Sequence, residues 1–567
     1  MKYKIAVPEE KLDDIFANRL REVELIDESF PAYQQLAEGD KKALGYLARA
    51  CKMMNEVSLE QDHPLNLELK KELEQAAKTS SHAAKALRLF NSFGGVSGHN
   101  GIDLEPVDIF EGITLLPGRN FYPADLSAEE FHRILKDMLK SGRKAEVKKI
   151  LSARTMVRRD GQDGLKAIDY TEYFAPQFSK IANELELAAH YSTNEAFNDF
   201  LGWQAQALLQ NNEDMDMLAD KHWAVLQDTP LEFTIARENY NDEMTPTVFE
   251  DAELKTLLEE AGIEPIAKDN LGARTGIINK KGTDLLLTFK EQMKHLAAKM
   301  PFADKYHQSI AAGEQLKQTM VDVDLAVLGG DFAQCRGAIT TAENLPNDDK
   351  LSVKTGGGRR NVYHRQVRMS YDEARDRKLL EALAAPELHQ HYSHEADHIF
   401  VIGHENGHSL GPDSYYKDAL GAYRHIIEEN KADVVSIAMM PEYVKSGVIT
   451  EDMLKKIYTT WVLMRCLNKA QPIESHRVGD LIHFNFMLEH GAIRINADRK
   501  IEIDFAKMPQ VINKLLEETI EVQLSRSPQK AKAWIDKYTE WGEINRYIAD
   551  TLQSLGVKNY IEIRTHF

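Results

Sequence analysis

His404-Glu405-Asn406-Gly407-His408 and, twenty residues further on, Glu428-Glu429-Asn430-Lys431-Ala432-Asp433 are the stretches on which the reading of this 567-residue chain turns. On a helix turning about 100° per residue, positions i and i+4 lie about 40° apart. The two imidazoles of an HExxH can therefore reach one zinc ion, and the glutamate between them can take a proton from water. The pattern occurs twice, because His394-Glu395-Ala396-Asp397-His398 matches it as well. Context separates the copies. The first lies in polar text, Leu388–Asp397 (LHQHYSHEAD), with a charge inside the motif. The second follows Ile399-Phe400-Val401-Ile402-Gly403 and is closed by Gly411-Pro412. A metal centre needs a rigid, water-poor surround, so the second copy is the candidate. His389, His391, His394 and His398 then read as a solvated helical face. Gly407 is the awkward residue, since glycine inside a helix costs about 1 kcal/mol relative to alanine. A close approach of its backbone to metal or substrate would account for it.

A zinc hydrolase site takes a third protein ligand and leaves a position for water. Tyr423–Met440 reads as a helix with apolar Ile426, Val434, Ile437 and Ala438, and it carries Glu428, Glu429 and Asp433 among them. Glu429 and Asp433 are four apart and share a face, which suits a ligand beside a carboxylate that orients a ligating imidazole.

Elsewhere the chain excludes more than it specifies. Its net charge is −19, with 43% hydrophobic and 28% charged residues, an ordinary globular composition without the basic footprint of a nucleic-acid or anionic-membrane binder. Cys51, Cys335 and Cys466 are too few and too scattered for a disulfide framework or a thiolate site. The start, MKYKIAVPEEK, lacks a signal-peptide core, and no apolar run reaches the ~18 residues of a membrane span. A cytoplasmic protein is expected. Helical periodicity runs through Lys41–Met54, Leu67–Phe90, Ala128–Leu151 and Phe174–Asn211. Strand candidates are Leu231–Ala236, Asp322–Leu328, Asn361–Met369 and a hairpin within Ala492–Ile503 around Asn496–Arg499. Gly356-Gly357-Gly358-Arg359-Arg360 lacks the phosphate-loop pattern and reads as a loop.

Together these motifs resemble the dipeptidyl peptidase III family of zinc exopeptidases, which pairs an HExxH or HExxxH helix with an EExxAD/E helix. The resemblance implies that His404, His408 and Glu429 bind one zinc per chain, that Glu405 is the general base, and that Glu428 and Asp433 support the ligands. Three further segments extend it. Asn344-Leu345-Pro346-Asn347 resembles a loop whose asparagines, here Asn344 and Asn347, hold the peptide. Glu238-Asn239-Tyr240 resembles an E-x-Y in which the acid, Glu238, meets the substrate's amino terminus and the tyrosine, Tyr240, supports the oxyanion. Glu474-Ser475-His476 resembles the start of a helix whose histidine, His476, aids the transition state. Weaker likenesses at Gly118–Pro123 and Val157–Gly161 bring coverage to most of the chain from about residue 40.

The five-residue motif, followed by Ser-Leu-Gly-Pro, is similar to a shorter bacterial-type group, and Asp242–Leu271 reads as a longer connection than the family's. The implied fold is mostly α (α+β): two lobes around a wide cleft, one helical and zinc-bearing, the other mixed with a small β-barrel-like core. Boundaries of 1–278 with 319–372 for the mixed lobe, and 279–318 with 373–567 for the metal lobe, are expected. The implied activity is release of dipeptides from the amino end of short peptides, with no nucleic-acid or membrane partner. Two alternatives stay open: a thimet-like oligopeptidase, since His404–Leu410 (HENGHSL) also resembles that group's motif, and a non-catalytic zinc or peptide binder.

Overall fold

The computed structural model describes residues 1–98, 107–161, 164–210, 213–239, 241–312, 317–333, 341–345, 358–473, 475–556, 558 and 560–567. The chain divides into two compact units. One comprises Met1–Ile278, Asp324–Ile339 and Lys558–Phe567; the other comprises Asn279–Val323 and Thr340–Val557. Helices dominate both, and the described strands form one five-stranded and four two-stranded sheets. The fold is mostly α (α+β), as the sequence implies. Among the described residues no helix is long and apolar enough to cross a membrane.

In the first unit the long helix α1 (Glu38–Asp62) buries Ala43, Leu47, Cys51 and Met54 at three- and four-residue spacing. Longer runs of helical periodicity prove to be pairs of helices. Leu67–Phe90 splits into Asn66–Ala76 and Ser81–Phe93, with the Ser80 hydroxyl accepting from the Ala83 amide at 3.2 Å. Phe174–Asn211 splits into Ala175–Tyr191 and Glu195–Gln210, with Asn194 Oδ1 accepting from the Phe197 amide at 2.9 Å. These short polar side chains satisfy first-turn amides and so start a new helix where apolar spacing alone would continue the old one.

Strand β1 (Leu231–Glu238) pairs antiparallel with β2 (Asn270–Ile278), from Leu231↔Ile277 to Glu238↔Asn270. The sequence reading missed β2, because Gly272, Arg274 and Gly276 interrupt its apolar text. Glycine is needed at 272, where a Cβ would come within 2.9 Å of the Phe332 amide nitrogen. The connection before β2 holds a 3-10 turn, Thr245–Phe249, and a helix, Ala252–Ala261. It ends at a wholly buried Lys268, whose Nζ donates to the carbonyls of Ile150 and Ser152 and to Thr155 Oγ1 at 2.7–2.8 Å.

Strands β3 (Lys317–Gly330), β4 (Ala342–Leu345) and β5 (Gly358–His364) complete the sheet, in the order β1-β2-β3-β5-β4. β5 is parallel to β3 and antiparallel to β4. The strand expected over Asn361–Met369 stops at His364, and Arg365–Met369 is a helical turn. There Arg368 grips Asp322 of β3 with two bonds of 2.8 and 2.9 Å. The glycine-rich loop expected at 356–360 is corrected at its end: Gly358-Arg359-Arg360 already belong to β5, and the buried Arg360 donates to Thr319 Oγ1 at 3.1 Å. Residues 356 and 357 lie outside the described residues. The hairpin forms as read, Ile493–Ile495 against Ile501–Ile503, with Arg499 left-handed at φ 58°.

The second unit is built on helices α2 (His394–Gly407), α3 (Arg424–Lys445), α4 (Ser475–Glu489) and α5 (Met508–Leu524). Ile402, Ile427, Val434, Ile437, Ile482 and Leu515 are fully buried in their common core. Two glycines set how closely α2 meets α3. A Cβ on Gly403 would fall 2.2 Å from Ser436 Oγ, and one on Gly407 would fall 2.7 Å from the Ala432 carbonyl oxygen. Gly407 therefore makes room for the neighbouring helix backbone, not for metal or substrate. Gly407→Ala is expected to lower stability by about 1–3 kcal/mol, the range for forcing an extra methyl into a packed contact. Thermal unfolding checks this; an unchanged melting temperature would mean the helices can part freely.

Candidate metal centre

The close α2–α3 contact brings the two motifs face to face. His404 lies in the last turn of α2, and His408 closes the helix with φ −59° and ψ −30°, still helical, so the i, i+4 relation holds. Their Nε2 atoms are 3.1 Å apart, and each is 3.6 Å from Oε2 of Glu429 on α3. Four donors around a tetrahedral zinc at about 2.0–2.1 Å stand about 3.3 Å from one another, which these separations bracket. Glu429 Oε2 is buried and has no hydrogen-bond partner, an arrangement that costs free energy unless a cation meets it. The donor set thus fits zinc.

Each imidazole is steered from behind. His404 Nδ1 meets Asp433 Oδ1 at 2.6 Å, and His408 Nδ1 meets Glu428 Oε1 at 3.1 Å. A carboxylate on Nδ1 fixes the ring and turns Nε2 to the ion. Burial alone would push the His404 ring toward neutrality, but Asp433, Glu405 and Glu429 outweigh it and raise its pKa to about 9. Burial likewise works against a charged Asp433, yet His404 holds its pKa down at about 2. Glu428 is kept well below the usual carboxylate range against burial, by Lys417, Lys431 and the His408 bond. A divalent cation displaces any proton from the imidazoles.

Lys431 was not singled out in the sequence, although it is central to the local structure. It is wholly buried on α3, 3.0 Å from Glu428 Oε1, and its Nζ donates to the carbonyls of Gly407 at 2.7 Å and Leu410 at 2.8 Å. One ammonium thereby closes the end of α2, where unsatisfied carbonyls gather, and neutralises the acid that orients His408. A lysine three residues after Glu428, just before the largely apolar stretch Val434–Met440, was the available signal.

Glu405, between the two histidines, is buried and sits close enough to Tyr363 of β5 to raise that phenol, after burial itself. His476 lies in the first turn of α4 with its Nδ1 3.5 Å from Glu429 Oε2, and its side chain is 56% exposed. The supporting residues are less fully described. Glu238 ends β1 and Asn344 lies in β4, but only their backbones are described; Tyr240 and Asn347 lie outside the described residues. Asn241, next to Tyr240, is held by Arg119 Nε on its carbonyl at 3.2 Å and by Asp331 Oδ1 on its amide group at 3.2 Å.

The first HExxH copy needs a correction. His398 is buried, not solvated, and burial lowers its pKa to about 3. His394 Nε2 pairs with Asp376 at 2.8 Å and its ring stacks on Tyr371 at 3.7 Å. Asp397, whose charge counted against a metal site, is gripped by Arg465 at 2.7 and 2.8 Å. Ten residues separate His394 from His404, so the copies face about 80° apart on α2. Accordingly His404→Ala is expected to empty the metal site and His394→Ala to leave it filled, as read by metal content from mass spectrometry.

Comparison with known proteins supports the same fold. The structure matches that of dipeptidyl peptidase III from Caldithrix abyssi with a TM-score of 0.78 and 23% identity, covering 97% of this chain and 98% of that one. It also matches dipeptidyl peptidase III from Corallococcus sp. strain EGB with a TM-score of 0.73 and 21% identity, covering 98% and 97%. The fold is that of the dipeptidyl peptidase III structures over nearly the whole chain. In sequence, Nudix hydrolase 3 of Arabidopsis thaliana is 24% identical over 560 residues, 89% of this chain and 68% of that protein. No protein-family model matches the chain.

Proposed function

We propose that the protein is a zinc-dependent peptidase that releases dipeptides from the amino terminus of short peptides. The observation that carries this reading is the convergence of His404, His408 and Glu429 on one point, each imidazole tied to its own carboxylate. Two imidazoles and one carboxylate are the donor set of catalytic zinc, which leaves room for water, whereas structural sites close with four protein ligands. When bound, zinc supplies a Lewis acid and makes water at the site more acidic. Glu405 accepts the proton of the attacking water and passes it to the leaving amine. Tyr240 and His476 donate to the developing oxyanion, where loss of one donor costs about 2.7–4 kcal/mol. Glu238 pairs with the substrate's ammonium group, and Asn344 and Asn347 hold its backbone.

The dipeptide step itself is supported by the resemblance of the Glu238-x-Tyr240 and Asn344–Asn347 segments and by the fold shared with named dipeptidyl peptidases III. The plant relative's name denotes a different hydrolysis, and this site, with two imidazoles among its donors, gives no reason to assign it here. The deciding experiment is digestion of an unblocked decapeptide followed by mass spectrometry. Successive losses of two residues from the amino end are expected. A single internal cut would favour the thimet-like alternative, and an intact peptide with zinc bound would favour the non-catalytic binder.

A further inference from the structure

Behind the metal centre lies a second cluster that no step above uses. Asp433 of α3 and Asp480 and His483 of α4 are all buried, with one ligand-type atom from each within 4.8 Å of the others. α4 packs against α3 here: a Cβ on Gly479 would stand in ordinary contact, 3.7 Å from Asn430 Cα. On this helix His476, Gly479, Asp480 and His483 fall at i, i+3, i+4 and i+7, one continuous face. The face that offers His476 to the metal centre thus also offers Asp480 and His483 to Asp433.

His483 is the telling residue. It is wholly buried, and neither ring nitrogen has a partner at hydrogen-bond geometry; the backbone of Asn430 and the carboxylate of Asp433 are the polar groups that face it. Beyond it, Asp480 is tied to Arg477 Nη1 at 3.2 Å. Arg465, already committed to Asp397, also acts on both carboxylates. With that cationic charge close by, a second divalent ion is the less suitable occupant. A neutral imidazole suits the place better, since a ring N–H can turn toward the Asp433 carboxylate, within 4.8 Å of it. The local energetics agree: burial holds His483 neutral, lowering its pKa to about 4, while burial and Asp433 raise the Asp480 carboxyl to about 7.

The geometry points to Asp480 and His483 as positioning residues that steady the carboxylate of Asp433, and through it the ring of His404, so that α4 sets how tightly the centre holds zinc. This rests on the zinc reading of His404, His408 and Glu429. Outer partners of ligating histidines typically contribute 10–100-fold in metal affinity.

The test is a zinc titration of the 567-residue chain against a chelator of known affinity. The wild type is compared with His483→Leu, His483→Gln, Asp480→Asn and His404→Ala, with helicity and melting of each metal-stripped chain recorded in parallel. His483→Leu and Asp480→Asn are expected to bind zinc more weakly with helicity intact, by at most the roughly 10–100-fold of a direct partner such as Asp433, and His483→Gln, which keeps a donor, to recover much of the loss. Wild-type affinity in both His483→Leu and Asp480→Asn overturns the proposal while His404→Ala still fails to bind. Should His404→Ala bind as the wild type does, the metal reading itself is what fails. If His483→Leu does not fold, Asp480→Asn and His483→Gln decide the matter by the same titration.

Discussion

Glu405→Gln is expected to keep its zinc and its fold while peptide hydrolysis falls by about 10²–10⁴-fold, the range contributed by a positioned general base. Glutamine has the size and shape of the residue that it replaces, so the buried place between His404 and His408 stays filled. What disappears is the capacity to take a proton from water and return one to the leaving amine. Dipeptide release followed by chromatography gives the rate, and mass spectrometry of the intact protein gives the metal. Undiminished turnover would remove Glu405 from the mechanism. Loss of zinc together with activity would make its role structural.

Lys431→Met should be the most damaging single change to stability at the site. Methionine fills similar space but has no donors, so the carbonyls of Gly407 and Leu410 lose the group bonded to them at 2.7 and 2.8 Å. Glu428 loses its buried cation at 3.0 Å and keeps Lys417 at 3.6 Å, the His408 ring at 3.1 Å and the Gln523 amide at 3.3 Å. Breaking a buried pair from one side costs about 3–5 kcal/mol, because the other charge is stranded. The sign with pH follows from Glu428. Its folded pKa lies below the unfolded value of about 4.3, so the pair stabilises the protein above that value and progressively less as pH falls through it. The gap in melting temperature between wild type and variant should therefore be large at neutral pH and narrow in acid. Zinc affinity should drop as well, since Glu428 orients His408. Equal melting temperatures at pH 7 would contradict the account.

The cluster of His404, His408 and Glu429 was legible in the sequence because its logic is local. Spacing of four puts His404 beside His408, and apolar Ile399–Ile402 marked which HExxH copy lies in a core; both are properties of a single helix. Three things were not legible. Gly407 was read toward metal or substrate because nothing in a sequence says which backbone will approach a glycine, and it proved to be that of Ala432. His398 was read as solvated from its polar neighbours, whereas Asp376, Tyr371 and Arg465 arrive from other segments to pair those neighbours and allow their burial. Strand β2 escaped because Gly272 serves a close approach to Phe332 and, with Gly276, removes the alternation that identifies a strand. The helical stretches read over 67–90 and 174–211 are helical, but their breaks were not seen, since single residues such as Ser80 and Asn194 decide where one helix stops and the next begins.

The contact of α2 with α3 bears also on how the centre is assembled. His404 and Glu429 are separated by 25 residues, and both helices belong to one unit. Closing a loop of that length carries a modest entropic cost that rises only with the logarithm of its length, and contacts of short sequence separation tend to form early. The ligand set can therefore come together while Glu238, which belongs to the other unit, is still unorganised. On the proposed reading, metal capture and substrate recognition are in this sense separable events, and a partly unfolded molecule in which these two helices are packed could already hold its ion.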